Sequence, residues 1–222
     1  MENNKPFPGL YPDTGSVYSY GWQIMKRNFV PLLVVALIVI IAGSLPNITS
    51  HNYDYSNRIT FSAGSLSFLI SVLLTGPISF SGYFVFLKAV RGEPFDIKDT
   101  FSCFGPRYLD IMMAYLLTTI IIVAGIFLLI IPGIIFAIRL SFVPFLVTDK
   151  GLNATAAISA SWKMTSGYSW QIFFMGIVAI LIVFVGLLLF IIGIIPAIML
   201  IMSAFAAMYH AVDSSPSRVI EV

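Results

Sequence analysis

Apolar runs extend from about Phe29 to Leu45, Leu66 to Val90, Ile111 to Ile131, Gly133 to Val147, Trp170 to Ile192 and Pro196 to Val212, separated by short polar stretches. Runs of this length suit helices that cross roughly 30 Å of hydrocarbon, so the pattern predicts an all-α, polytopic transmembrane bundle of six spans. The fourth run is the shortest; at 1.5 Å per residue it covers only ~22 Å. Two apolar connections are too tight for anything but a turn. Pro132-Gly133 after Ile131, and Gly193 through Pro196, divide runs too long for single helices, so each is expected to make a helical hairpin.

The polar stretches before spans one, three and five carry a second pattern. Tyr18, Trp22, Met25 and Phe29 recur as Ile97, Phe101, Phe104 and Tyr108, and again as Ile158, Trp162, Thr165 and Ser169. The spacing marks one face of a helix. Gly125-Ile-Phe-Leu-Leu-Ile-Ile also lies over Gly186-Leu-Leu-Leu-Phe-Ile-Ile. The chain therefore reads as three pseudo-repeats, each an amphipathic helix followed by a membrane hairpin. Trp22, Phe101, Phe104, Trp162 and Lys163 are the expected interfacial residues, either in the headgroup layer or buried against the bundle. Asp96 and Asn153 are candidate N-caps and Gly167 a candidate helix stop.

Composition agrees. Of 222 residues, 59% are hydrophobic and 10% charged, against about a quarter charged in soluble domains. A net charge of +2, without a basic stripe, argues against nucleic acid as a partner. Lys5, Lys26, Arg27, Lys88, Arg91, Lys98, Arg107, Lys150, Lys163 and Arg218 fall on one side of the predicted topology and only Arg58 on the other. That bias predicts both termini in the cytoplasm, with Pro46 to Ser62, including His51, Asp54 and Arg58, as the sizeable outer loop. No apolar h-region precedes Phe29, so the first span is expected to direct insertion. One integral membrane domain is expected over 1–222, with flexible tails at 1–12 and 213–222. Asn47-Ile48-Thr49 fits a glycosylation acceptor of low specificity.

Few residues carry candidate chemistry. Arg139 is the one permanent charge well inside an apolar run. Such a charge either snorkels to the outer interface or bonds freed carbonyls near Pro144, or it binds an anionic ligand or lipid headgroup. Ser67, Ser71, Thr75 and Ser79 recur every fourth residue beside Gly76-Pro77. They form either a packing stripe or a polar path through a kinked helix. Asp149 with Lys150 and Lys163 reads as a solvated interfacial cluster. Cys103 is the sole cysteine, which excludes an internal disulfide. No catalytic motif, metal site or cofactor site is predicted.

Arg91-Gly92-Glu93, Asp99, Phe101, Phe104, Ile131-Pro132-Gly133-Ile134, Arg139, Asp149 and Ser161-Trp162-Lys163-Met164-Thr165-Ser166-Gly167 together resemble a family of bacterial membrane proteins. It includes the YciC-like proteins, the DUF975 group and the membrane domain attached to some glycerophosphodiester phosphodiesterases. The resemblance runs from Gly21 to His210. It implies a membrane-side role near phospholipid metabolism and no catalytic residues. The expected protein is a non-enzymatic resident of the bacterial plasma membrane, acting through membrane lipids or a membrane protein partner. The alternative is a small permease or exporter for an amphiphile or peptide. A homo-oligomer is compatible with either.

Overall fold

The computed structural model describes residues 10–50, 67–188 and 193–215. The loop with His51, Asp54 and Arg58, expected on the outer side, and most of both tails lie outside the described residues. Six helices are long and apolar enough to cross a membrane, so the chain is a multi-pass membrane protein. Helix α1 (Thr14–Arg27) leads through Asn28 into α2 (Phe29–Ser50). The second span is α3 (Ser67–Arg91), with a π-helical segment at Ser71–Thr75. A 3-10 segment (Ile97–Phe104) precedes α4 (Tyr108–Leu128). The fourth span is built from α5 (Ile130–Arg139) and α6 (Val143–Thr148). Then follow α7 (Ala154–Thr165), α8 (Ser169–Leu188) and α9 (Ile194–Asp213).

The three hairpins do not present their two arms equally. In the first arms, α2, α4 and α8, 22%, 17% and 17% of the span is buried; in the second arms, α3, α5–α6 and α9, the shares are 44%, 39% and 56%. The second arms therefore form an inner set and the first arms an outer one. Because acyl chains are as apolar as leucine, the outer arms keep their Ile, Leu and Phe side chains outward at no cost. Exposed Ile120, Phe127, Ile180, Phe184 and Leu188 are that surface.

The predicted repeat acquires a cyclic logic. Each short element packs on the second arm of the hairpin before it: the 3-10 segment on α3, α7 on α6, and α1 on α9. Asp96 caps the 3-10 segment through Lys98 N, in a capping box with Asp99, and Asn153 caps α7 through Ala156 N. Asp99 also accepts from Lys88 at 2.8 Å, and that bond chiefly holds its carboxyl below the usual carboxylate range. The second short element is thus a 3-10 segment rather than an α-helix. In all three, the aromatic at the second position of the repeat points outward, with Trp22, Phe101 and Trp162 exposed by 46%, 47% and 40%. The third position differs. Phe104 is exposed, whereas Met25 and Thr165 are buried.

The α4–α5 turn sits earlier than its Pro-Gly pair suggests. The chain reverses at Leu129, in extended conformation, and Pro132 and Gly133 lie in the first turn of α5. Proline costs no hydrogen bond there. Pro196 occupies the same place in α9, whose N-cap is Gly193. The glycines serve the crossing instead. A Cβ on Gly133 would sit 2.3 Å from Ile126 Cγ1, and one on Gly125 would sit 3.0 Å from the Gly133 Cα. Gly186 meets the Gly193 carbonyl in the same way. With the earlier start, span four covers 19 residues, Ile130–Thr148, and the expected shortfall disappears.

Candidate functional site

The charged end of the inner arms holds a polar cluster. Gly92, in the left-handed region at φ 71°, ends α3 and leaves Arg91 in its last turn. Arg91 grips Asp149 with both terminal nitrogens, at 2.5 and 2.8 Å. The Tyr209 hydroxyl donates to the same carboxylate at 3.1 Å, and Asp213 lies 3.7 Å from Arg91 and pairs with Lys150. The side chains of Arg91 and Asp149 are only 19% and 13% exposed. Tyr209 is fully buried, stacked on Phe145 at 4.9 Å and edge-on to Phe142 at 5.6 Å. Asp149 is thus not a solvated partner of Lys150 and Lys163 but the half-buried counter-ion of Arg91. Asp213, expected in a flexible tail, is the last residue of α9. The cluster ties together the ends of all three second arms, and its chemistry is structural: each carboxylate is matched by a cation.

A different arrangement surrounds Arg139. Span four breaks at Leu140–Phe142, directly ahead of Val143-Pro144, so the proline occupies an early helical position whose N–H would have no partner anyway. The backbone groups freed by the break are taken up by α7. Ser161 Oγ donates to the Arg139 carbonyl at 2.7 Å and accepts from Phe142 N at 3.3 Å; Thr165 Oγ1 lies 3.3 Å from the same carbonyl. The Ser-Trp-Lys-x-Thr segment is therefore the dock for a broken helix. The Arg139 side chain is not needed for that repair. Its guanidinium lies 5.4 Å from the Trp162 ring and 3.5 Å from the Trp162 carbonyl. This places it towards the α7 end of the bundle, not at the outer interface. No carboxylate among the described residues pairs with it.

Beside Arg139 the bundle is open. α8 does not close on α5 as α4 closes on α3, leaving two abutting cavities of about 400 and 280 Å³. Ile131, Ile134, Ile135 and Ile138 form one wall, and Trp170, Phe173 and Ile177 the other. Gly176 lies in the second wall with open space in front of it. Such volumes belong to the roughly 300–1,000 Å³ range of small-ligand sites. The lining is apolar and the groove faces the surface of the outer arms.

The hydroxyl stripe of α3 is partly accounted for. Pro77 has no N–H for the Leu73 carbonyl one turn back. The Tyr108 hydroxyl supplies that donor at 2.8 Å, and Tyr115 fills the notch over Gly76. Thr75 Oγ1 donates across to the Ala42 carbonyl of α2 at 2.8 Å, and Ser79 Oγ to the Thr75 carbonyl at 2.7 Å. Ser67 and Ser71 are half-buried further along the same helix. Among the described residues no three His, Cys, Asp or Glu side chains converge as a metal ion would require. The Arg91 cluster escapes sequence reasoning because its members lie far apart along the chain. The signal was present, though: charged residues of opposite sign end each second arm.

No family model matches the chain, and no curated protein or solved structure is significantly similar to it.

Proposed function

We propose that this is a non-enzymatic protein of the bacterial plasma membrane that works through lipid contact, holding an acyl chain in the groove between α5 and α8. The observation that carries the proposal is the groove itself: two apolar walls, open laterally, where α8 fails to close on α5. The bias of Lys and Arg supports a cytoplasmic charged end and cytoplasmic termini. The same reading places the chain with the YciC-like membrane proteins. In its support, the residues of that resemblance include the α4–α5 hairpin and the dock for the broken helix. The permease reading draws less support, since the Thr75 and Ser79 hydroxyls are engaged by carbonyls.

The test is photo-crosslinking in nanodiscs of phosphatidylcholine carrying an acyl-chain diazirine. Adducts should concentrate on Ile131–Ile138 and Trp170–Ile177 over the equally exposed face of α4. Gly176→Phe, which fills the groove from a position with free space, should remove that concentration while the protein still folds. Labelling spread evenly over α2, α4 and α8 would refute the groove as a lipid site.

A further inference from the structure

Ile131, Ile135 and Arg139 stand four residues apart on α5, so they form a single row along one helix face. Ile131 and Ile135 line the groove, and the guanidinium is the next group in that row. From Ile131 to Arg139 the row is ~12 Å long at 1.5 Å per residue, close to the ~15 Å of hydrocarbon in one leaflet. A single lipid could therefore lay a chain along the row and bring its phosphate to Arg139.

The surroundings of Arg139 are those of a cation kept for a ligand. Its partners are a ring face and a carbonyl oxygen, which orient the guanidinium without neutralising it. Trp162, which holds it, and Trp170, at the mouth of the groove, are both exposed, as suits rings at the headgroup level. The neighbouring Lys163 adds positive charge on the exposed side of α7. A planar guanidinium can bind two phosphate oxygens at once, and a basic site between membrane helices at a charged bundle end is suited to an anionic headgroup.

We infer that the α5–α8 groove is selective for an anionic phospholipid from the leaflet at the charged end of the bundle, with Arg139 binding its phosphate. This inference rests on the groove being a lipid site and adds the class of lipid.

The experiment uses the full chain in nanodiscs containing equal amounts of phosphatidylglycerol and phosphatidylcholine with matched acyl chains. Native mass spectrometry after gentle release reads both the total lipid retained and the ratio of the two. Wild-type protein should retain phosphatidylglycerol in excess by about fivefold, the size expected for one interfacial Arg. Arg139→Gln should bring the ratio close to one while total retention persists, and Arg139→Lys should keep part of the excess. Lys26→Gln is the control for general surface charge, because Lys26 also lies 5.4 Å from an exposed Trp ring, that of Trp22; its ratio should match wild type. An even ratio in wild type overturns the inference without any variant having to fold. So does an undiminished excess in Arg139→Gln, or an equal loss in Lys26→Gln. The groove reading fails separately, if Gly176→Phe leaves total retention unchanged.

Discussion

Arg91 and Arg139 both end a helical segment of an inner arm, yet their surroundings are opposite. Arg91 meets Asp149 along both nitrogens, with Asp213 and Glu93 at 3.7 and 3.9 Å. Arg139 meets the Trp162 ring and backbone. Taking a charge from water costs several kcal/mol unless it is matched, and the two sites meet that cost differently. At Arg91 the chain supplies the counter-charge, and the pair becomes a fixed joint between three arms. At Arg139 the chain supplies orientation and, among the described residues, no counter-charge. A cation at the end of a membrane helix is thus classified by its partners, not by its depth.

The largest effect that could break this contrast is on stability. Asp149→Ala removes the bidentate partner of Arg91, leaving it only Asp213 and Glu93 at 3.7 and 3.9 Å, and should cost about 3 kcal/mol, read as a large fall in Tm in detergent. Arg139→Gln should change Tm little in the same assay. A greater loss from Arg139→Gln would reverse the assignment of joint and ligand site. Tyr209→Phe removes one hydrogen bond to a carboxylate and should cost about 1.5 kcal/mol, and next to nothing in an Asp149→Ala background. Trp162→Leu sharpens the other side: losing the ring under Arg139 should cost about 0.5–1 kcal/mol and weaken phosphatidylglycerol retention in the nanodisc assay. The smallest effect belongs to the half-buried pair Lys88–Asp99. The folded protein holds the Asp99 carboxyl below its ordinary range, so its contribution is present above that range and is lost as pH falls through and below it. At neutral pH Asp99→Asn should cost no more than about 1 kcal/mol. The difference in Tm from wild type should vanish as the pH is taken below the ordinary carboxylate range.

What could be read from the sequence follows from which forces are local. Span number and the three-unit plan were legible because a bilayer demands a minimum apolar length and because each unit repeats its own pattern. The caps at Asp96 and Asn153 were legible for the same reason, being bonds within a turn. The break in span four was half visible: Pro144 announces a free carbonyl, but nothing local says that Ser161 and Thr165, some twenty residues on, satisfy the backbone there. That pairing also decides the direction of Arg139, which the sequence alone allowed to turn towards the outer interface. The Pro132-Gly133 pair misplaces its turn by a few residues, because proline is as well suited to the first turn of a helix as to the loop before it. Asp149 looked solvated beside two lysines, since its partner Arg91 lies on another hairpin.

The packing of α1 on α9 sets an order of events during synthesis. The buried face of α1, Val17, Gly21, Ile24 and Met25, has its largest contact on α9, the sixth of the described spans. At the roughly 5–20 residues per second of translation, that partner emerges some ten to forty seconds after α1. Until then the first helix has no permanent neighbour on that face. The interval is a window in which an insertase or a holding chaperone would find α1 accessible, and it closes when Ala204 reaches Gly21.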